Sequence, residues 1–303
     1  MGIIEDIIKE GVLVEPRAAE RISAMREDEQ AETIERIRIE KPLILSEDFF
    51  ENIIEVTEIQ GQKKISISES TAALNSYFNI LQNLFEKRNR AVSISNASEN
   101  ASVIGLVRNI FQDGFEIEDQ TGAIKVLSKT QVDEDDVVMV AGKVIQKVLY
   151  ADLVEFPDLA ERQEKKNPKK CEIVFGNLPG DCPTTEGFGE PADGANYSIS
   201  FGEKISMGKN SLVVGKNPVQ VKINNIMIMV HNPKSGKNIS PLQILKKRRL
   251  PGTLVPMTEA PDILLLRGAE NILENYRGAT AIAANDKSVA RINLRTREVR
   301  FEN

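Results

Sequence analysis

Between residues 100 and 157 the chain adopts a hydrophobic period of two, and turn residues interrupt it repeatedly. ASVIGLVRNI, FEIED, AIKVLS, VVMVAGKVIQ and LYADLVEF each alternate apolar with polar side chains, or run apolar where both faces would be covered. That pattern predicts five short strands. Asp113-Gly114 supplies turn chemistry between the first and second, and Asp119-Gln120-Thr121-Gly122 between the second and third. Five strands at this spacing cannot lie flat with one apolar face in water. Their long first and fourth members predict a closed Greek-key barrel of the OB type over residues 98–160.

The flanking segments have other periods. In residues 1–45, Ile3, Ile4, Ile7 and Ile8 repeat with helical spacing and stop at Gly11. Glu15-Pro16 opens a second helix with Ala18, Ala19 and Ile22 inward. Ile34, Ile37 and Ile39 mark a third that breaks at Lys41-Pro42. This small helical module is either a stabilising cap or a docking element. Residues 46–97 read as a linker with short β-like pieces (EVTEI, KISIS), followed by an amphipathic helix whose face carries Leu74, Tyr77, Phe78, Leu81, Leu84 and Phe85. The charged, Pro-containing run AERQEKKNPKK marks a boundary. Beyond it, over 168–303, CEIVF, SLVVG, VQVKI, IMIMVH, DILLL, TAIAA, ARINL and EVRFE predict a β-rich domain broken by the Gly/Pro-rich loop GNLPGDCPTTEGFGEPADGANY. The fold class is mainly β with some α.

Composition limits the chemistry. The formal charge of −6 gives no global field for nucleic acid. One histidine and two cysteines leave few nitrogen and sulfur donors for a metal site. Cys171 and Cys182 do not make a disulfide framework, and with no second pair they do not make a zinc site. Apolar runs are shorter than the ~20 residues a membrane span needs, and the acidic N-terminus is no signal peptide. These features point to a cytoplasmic protein. The compact basic run Lys246-Lys247-Arg248-Arg249 is either a solvated turn or a phosphate contact, with Arg108 and Lys125 as further candidate contacts on the barrel.

The order of parts carries a resemblance. IKEGVLVEP, SVIGLVRNIFQDGFEIEDQTGAIKVL with ADLVEFPDL behind it, VGKNPVQVKINNIMIMVHN, LKKRRLPGTLVP, PDILLLRGAENILENYRG and ARINLRTREVRF follow one another along the chain. This sequence of elements resembles the small subunit of archaeal family D DNA polymerase and the B-subunits of eukaryotic replicative polymerases. The resemblance implies that residues 168–303 form a truncated calcineurin-like phosphoesterase domain, a layered β-sandwich. In that family a two-metal nuclease takes its ligands from Asp-x-His, Gly-Asp, Gly-Asn-His-Asp, a His after a strand, and Gly-His-x-His.

Set against that pattern, the ligands are missing here. The Gly-His-x-His positions fall on Arg267, Gly268, Ala269 and Glu270, and the Arg-His-Leu element falls on Arg248-Arg249-Leu250. The His after the strand remains as His231, followed by Asn232 rather than Gly. GNLPGDCP stands where a worn Asp-x-His or Gly-Asn-His-Asp loop would be, and Asp181, Asp193 and Glu270 would have to replace several ligands at once. His231, Gly268 and Glu270 are therefore expected as the remnant of a site that holds no catalytic residue, metal or cofactor. The resemblance implies a non-catalytic accessory subunit that binds the catalytic large subunit of a DNA polymerase and touches DNA mostly through that complex. A free-standing single-strand-binding OB protein is the alternative reading. A residual metal-dependent 3'-5' exonuclease is the third.

Overall fold

The computed structural model describes residues 3–50, 54–59, 67–86, 91–167, 171–176, 197–201, 206–207, 211–214, 218–233, 240–251, 253 and 255–302. The first helix, α1 (Ile3–Lys9), stops at Gly11, whose φ of +84° suits a residue without Cβ. The two-residue strand β1 (Leu13–Val14) leads into α2 (Pro16–Ser23), where proline takes the first helical turn and needs no N–H partner. Then come α3 (Glu27–Glu40) and β2 (Ile44–Leu45), which pairs in parallel with β1. Ile7, Ala18, Ile22 and Ile37 lie in the core of this module, as the helical spacing predicts, and Val12 and Leu45 join them, whereas Ile8 of the repeat is exposed.

Residues 46–70 differ from the expected linker. β3 (Ile54–Glu58) is an edge strand that pairs antiparallel with Val219–Ile223, far along the chain. Its alternation IEVTE was the local signal. Only the distant partner, which buries Ile54 and Val56 against the sandwich core, makes it a strand of that sheet. α4 (Ile67–Glu86) follows. Its Tyr77, Phe78, Leu81 and Phe85 pack on Ile104, Leu106, Val137 and Met139 of the barrel wall, so the aromatic stripe serves packing.

The barrel strands are β4 (Asn100–Ile110), β5 (Gly114–Asp119), β6 (Gly122–Leu127), β7 (Val137–Ile145) and β8 (Val148–Glu155), each within about a residue of its expected span. They close in the order β4-β5-β6-β8-β7, with β6 and β8 parallel. Val103, Val107, Phe115, Ile117, Val126, Val138, Val140 and Leu149 fill the interior. The β5–β6 turn is tied by Asp119, which accepts from the Thr121 and Gly122 N–H groups at 2.7 and 3.0 Å and from Ile94 N at 2.8 Å. At the β7 bulge, Gly142 lies so close to the Tyr150 carbonyl that a Cβ would collide with it.

Among the described residues, the strands outside the barrel and the β1/β2 pair build two six-stranded sheets. One runs in the order β11 (Ser206–Met207), β12 (Ser211–Val214), β10 (Tyr197–Phe201), β9 (Glu172–Gly176), β18 (Val289–Asn293), β19 (Val299–Glu302). The other is β16 (Ile272–Tyr276), β17 (Ala279–Ala284), β15 (Ile263–Arg267), β14 (Ile226–His231), β13 (Val219–Ile223), β3. Ile173, Phe175 and Ile292 of the first sheet meet Val221, Ile228, Leu265 and Ile282 of the second in one core. The second sheet is covered on its other face by α5 (Pro241–Lys247) with Leu159, Leu250 and Met257. β14 and β17 are buried along their whole length because both faces are covered. β10, β11 and β16 were not expected as strands. Most of the Gly/Pro-rich loop, including Asp181, Cys182 and Asp193, lies outside the described residues.

Residues 156–167 differ from a plain boundary. This segment is a strap along the sandwich. Leu159 is fully buried, Asp158 accepts from the Tyr276 hydroxyl at 2.6 Å, and Arg162 donates to the carbonyls of Ala260 and Pro261. Asn167 accepts from Asn224 at 2.7 Å. Beneath it Asp262, with no exposed side-chain surface, is flanked by Arg162 at 3.3 Å and Lys165 at 3.5 Å and accepts from Met227 N at 2.9 Å. Among the described residues, no helix is long and apolar enough to cross a membrane.

Candidate functional site

Parallel strands β14 and β15 end side by side, with His231 in register with Leu266. Strand ends of this kind place side chains at a crevice. Alternation along β14 sends Ile228 and Val230 into the core between the sheets and puts Met229 and His231 on the α5 side. His231 is 2% exposed, and its Nε2 lies 2.9 Å from the Pro251 carbonyl. A carbonyl only accepts, so Nε2 carries the proton and Nδ1 is the bare nitrogen. Nδ1 is buried with no hydrogen-bond partner. Burial holds the His231 pKa below its ordinary 6.5, against the opposing pull of the Pro251 bond.

The other remnant positions do not join it. After β15 the chain turns at Gly268, whose N–H is bonded to Ala284 O at 2.9 Å, and Glu270 stands exposed in the loop. Arg267, at the first Gly-His-x-His position, points to Asp286 at 2.6 Å, which raises its pKa and lowers that of Asp286. Among the described residues no three His, Cys, Asp or Glu side chains gather closely enough to hold a metal ion. Cys171 is buried at the start of β9, and burial with the neighbouring Glu172 carboxylate pushes its thiol up to about 12.

The basic run is where the structure departs furthest from the sequence reading. Two of its four side chains, Lys247 and Arg249, meet the barrel, while Lys246 lies half-exposed on the sandwich. Ser240 caps α5 by accepting from Gln243 N, and α5 ends at Arg248 in the left-handed region with φ 49°. That geometry turns successive side chains to different partners. Lys247 Nζ lies 2.6 Å from Asp133 and 2.6 Å from Asp136, both in the β6–β7 connection. Arg249 reaches Asp136 at 3.3 Å and donates to the Glu134 carbonyl. Arg248, 7% exposed, points inward and donates to the carbonyls of Met257 and Thr258 at 3.2 and 3.1 Å. Lys246 lies over the Tyr276 ring at 5.4 Å, and Lys247 over Phe156 at 5.3 Å.

Asp136 is 1% exposed and also accepts from Asp133 N at 2.7 Å. Burial raises its pKa, while Lys247 and Arg249 pull it back. Tyr77 of α4 is buried close by, and burial pushes its phenol above the ordinary value. The two remaining candidate contacts form ion pairs at the surface, and each keeps 40% of its side chain exposed. Arg108 lies 3.2 Å from Glu118 and 3.5 Å from Asp135, and Lys125 lies 3.2 Å from Asp113 and over the Phe111 ring. Residues 133–136 read DEDD, opposite in sign to KKRR, and that complementarity was the available signal for this joint.

The register also exposes a surface that sequence reading missed. Lys125 pairs with Val148 and Ile145 with Val148, while Leu127 and Lys143 both pair with Tyr150. All lie on the outward parity of β6, β8 and β7, since Val126, Leu149 and Val144 face the barrel interior. Ile145 and Tyr150 are exposed, as is Phe111 at the β4–β5 turn. Lys143 and Lys147 make no ion pair among the described residues. Apolar residues on the polar parity were the readable sign. No family model matches the sequence, and no curated protein matches it.

Proposed function

We propose that this chain is a non-catalytic accessory subunit of a replicative DNA polymerase of the family D type. In this reading the five-strand barrel is an OB-type barrel, and the two-sheet unit is a worn calcineurin-like phosphoesterase domain. Together they are a platform for the catalytic large subunit. The observation that carries the reading is the joint between them. Lys247 and Arg249 fix Asp136 in place, and the strap 156–167 pins the chain that leaves the barrel onto the sandwich. Such a joint suits a scaffold, which must hold two surfaces at a fixed distance. The environment of His231 supports the same reading. Its one bonded nitrogen is committed to a carbonyl inside the fold, and its neighbours in the family pattern are Arg267 and an exposed Glu270.

The exposed apolar wall around Ile145, Tyr150 and Phe111 is the surface where the large subunit would dock, with buried apolar area at its centre and lysines at its rim. Co-expression with the large subunit of a family D polymerase tests the proposal. The expected result is co-elution and a raised melting temperature. Separate elution with no mutual stabilisation overturns it. One observation favours the single-strand-binding alternative, namely two exposed aromatics with cations beside them, Tyr150 in register with Lys143 and Phe111 under Lys125. That reading requires the isolated chain to bind oligonucleotides with a steep salt dependence.

A further inference from the structure

The whole net charge of the chain sits at its N-terminal end. Residues 1–48 hold thirteen Asp and Glu against seven Lys and Arg, a net −6 equal to that of all 303 residues. The same module presents large apolar side chains to water: Leu43 is 85% exposed, Leu13 67%, and Ile44 and Ile8 54% each. Three of them are contiguous. Leu13 and Ile44 are register partners across β1 and β2, and Leu13 N donates to Leu43 O at 3.1 Å. Their chain neighbours Val12 and Leu45 fill the module core, so the ridge is the outer face of a folded ribbon. Single exposed apolar residues are ordinary, but a ridge on a small charged module marks a contact surface.

The charges around the ridge say what would cover it. Lys9 is paired with Asp6 at 3.3 Å and Arg38 with Glu10 at 3.1 Å. Glu5 on α1 and Glu15 directly after β1 have no ion pair among the described residues, and both are exposed. Lys41, just ahead of the ridge, and Arg17, two residues after Glu15, are the cations nearest to it in sequence, inside a module that keeps a net −6. A second copy of the chain would bring one −6 module against another, and nucleic acid would bring phosphates against carboxylates. We propose that the β1/β2 ridge docks a segment of a partner protein that is cationic and carries apolar side chains at alternate positions. Its apolar side chains cover Leu13, Leu43 and Ile44 while its Lys or Arg side chains meet Glu5 and Glu15. This holds whether or not the polymerase reading above holds.

The test uses the full chain and a labelled peptide alternating lysine and valine, with a glutamate–valine peptide and a single-stranded oligonucleotide as controls. Binding is read by fluorescence anisotropy at low and high salt, and its location by amide hydrogen exchange. The expected result is binding of the lysine–valine peptide alone, with exchange slowed at residues 12–15 and 43–46. Leu13→Ser with Leu43→Ser should weaken binding by about tenfold or more, and Glu5→Gln with Glu15→Gln should flatten its salt dependence. Both ridge positions are mostly solvent-exposed, so the variants should keep the parent thermal melt. Leu43→Ser alone serves as the milder form. Equal binding by the ridge variant, equal binding of the glutamate–valine peptide, protection elsewhere, protection of the ridge by the oligonucleotide, or a dimer that Leu43→Ser dissolves would each overturn the proposal.

Discussion

Replacing Asp136 by asparagine removes a charge from the joint between barrel and sandwich while keeping the side chain's shape. Asparagine can still accept from Asp133 N through its carbonyl oxygen. What it cannot do is neutralise Lys247, whose side chain is only 11% exposed and whose Nζ is 2.6 Å away, or Arg249 at 3.3 Å. Asp133 remains near Lys247, but its side chain is 78% exposed and well screened. Breaking a buried pair by removing one partner costs about 3–5 kcal/mol, because the surviving charge stays desolvated. At a urea slope of about 3 kcal/mol per molar the unfolding midpoint should fall by about 1 M or more. Lys247→Met in the same background removes the stranded ammonium, so the double variant should recover much of the loss. A cycle of Asp136→Asn, Lys247→Met and the double variant, followed by urea titration with circular dichroism, measures the coupling directly. Coupling of about 2 kcal/mol or more is expected, and high salt should change it little, since Asp136 is shielded from counterions. If Asp136→Asn stays within about 0.5 kcal/mol of the parent, or the two changes simply add, the joint does not hold the two units as argued.

His231, the one histidine, gives a clean acid probe. Its folded pKa is lowered, so between the unfolded value of 6.5 and that lower value the unfolded chain binds the extra proton. Stability should therefore fall as pH drops through this window, by at most about 1.4 kcal/mol per pH unit, and His231→Gln should flatten that slope. At pH 6.5 the imidazole proton resonance should lie nearer its neutral than its protonated position, and a signal half titrated or more there would contradict its burial. Gly278 has φ +76° and a backbone that would push a Cβ into the Arg162 carbonyl. Gly278→Ala should cost about 1–3 kcal/mol and open residues 156–167 to limited proteolysis. Arg267→Ala breaks a pair whose side chains are 41% and 56% exposed. It should cost no more than about 1 kcal/mol, a contrast with Asp136 that thermal melts of the two variants would show.

Elements with short-range causes were readable from the chain. The period-two runs with Asp113-Gly114 and Asp119 turns set the five barrel strands, and the Ile3–Ile8 repeat with Gly11 set the first helix, because alternation and turn chemistry act between near neighbours. The scarcity of imidazole was legible in the same direct way. What those elements meet was set by long-range packing. β3 became a sandwich edge through a partner more than 150 residues away. The KKRR run read as either a solvated turn or a phosphate contact, and only folding set its Lys247 and Arg249 against Asp133 and Asp136. β10 and β16 needed neighbours to pair with. A side chain's charge is written in the chain, but whether that charge faces water or a buried carboxylate depends on which distant segment packs beside it, and short-range pattern carries no record of that.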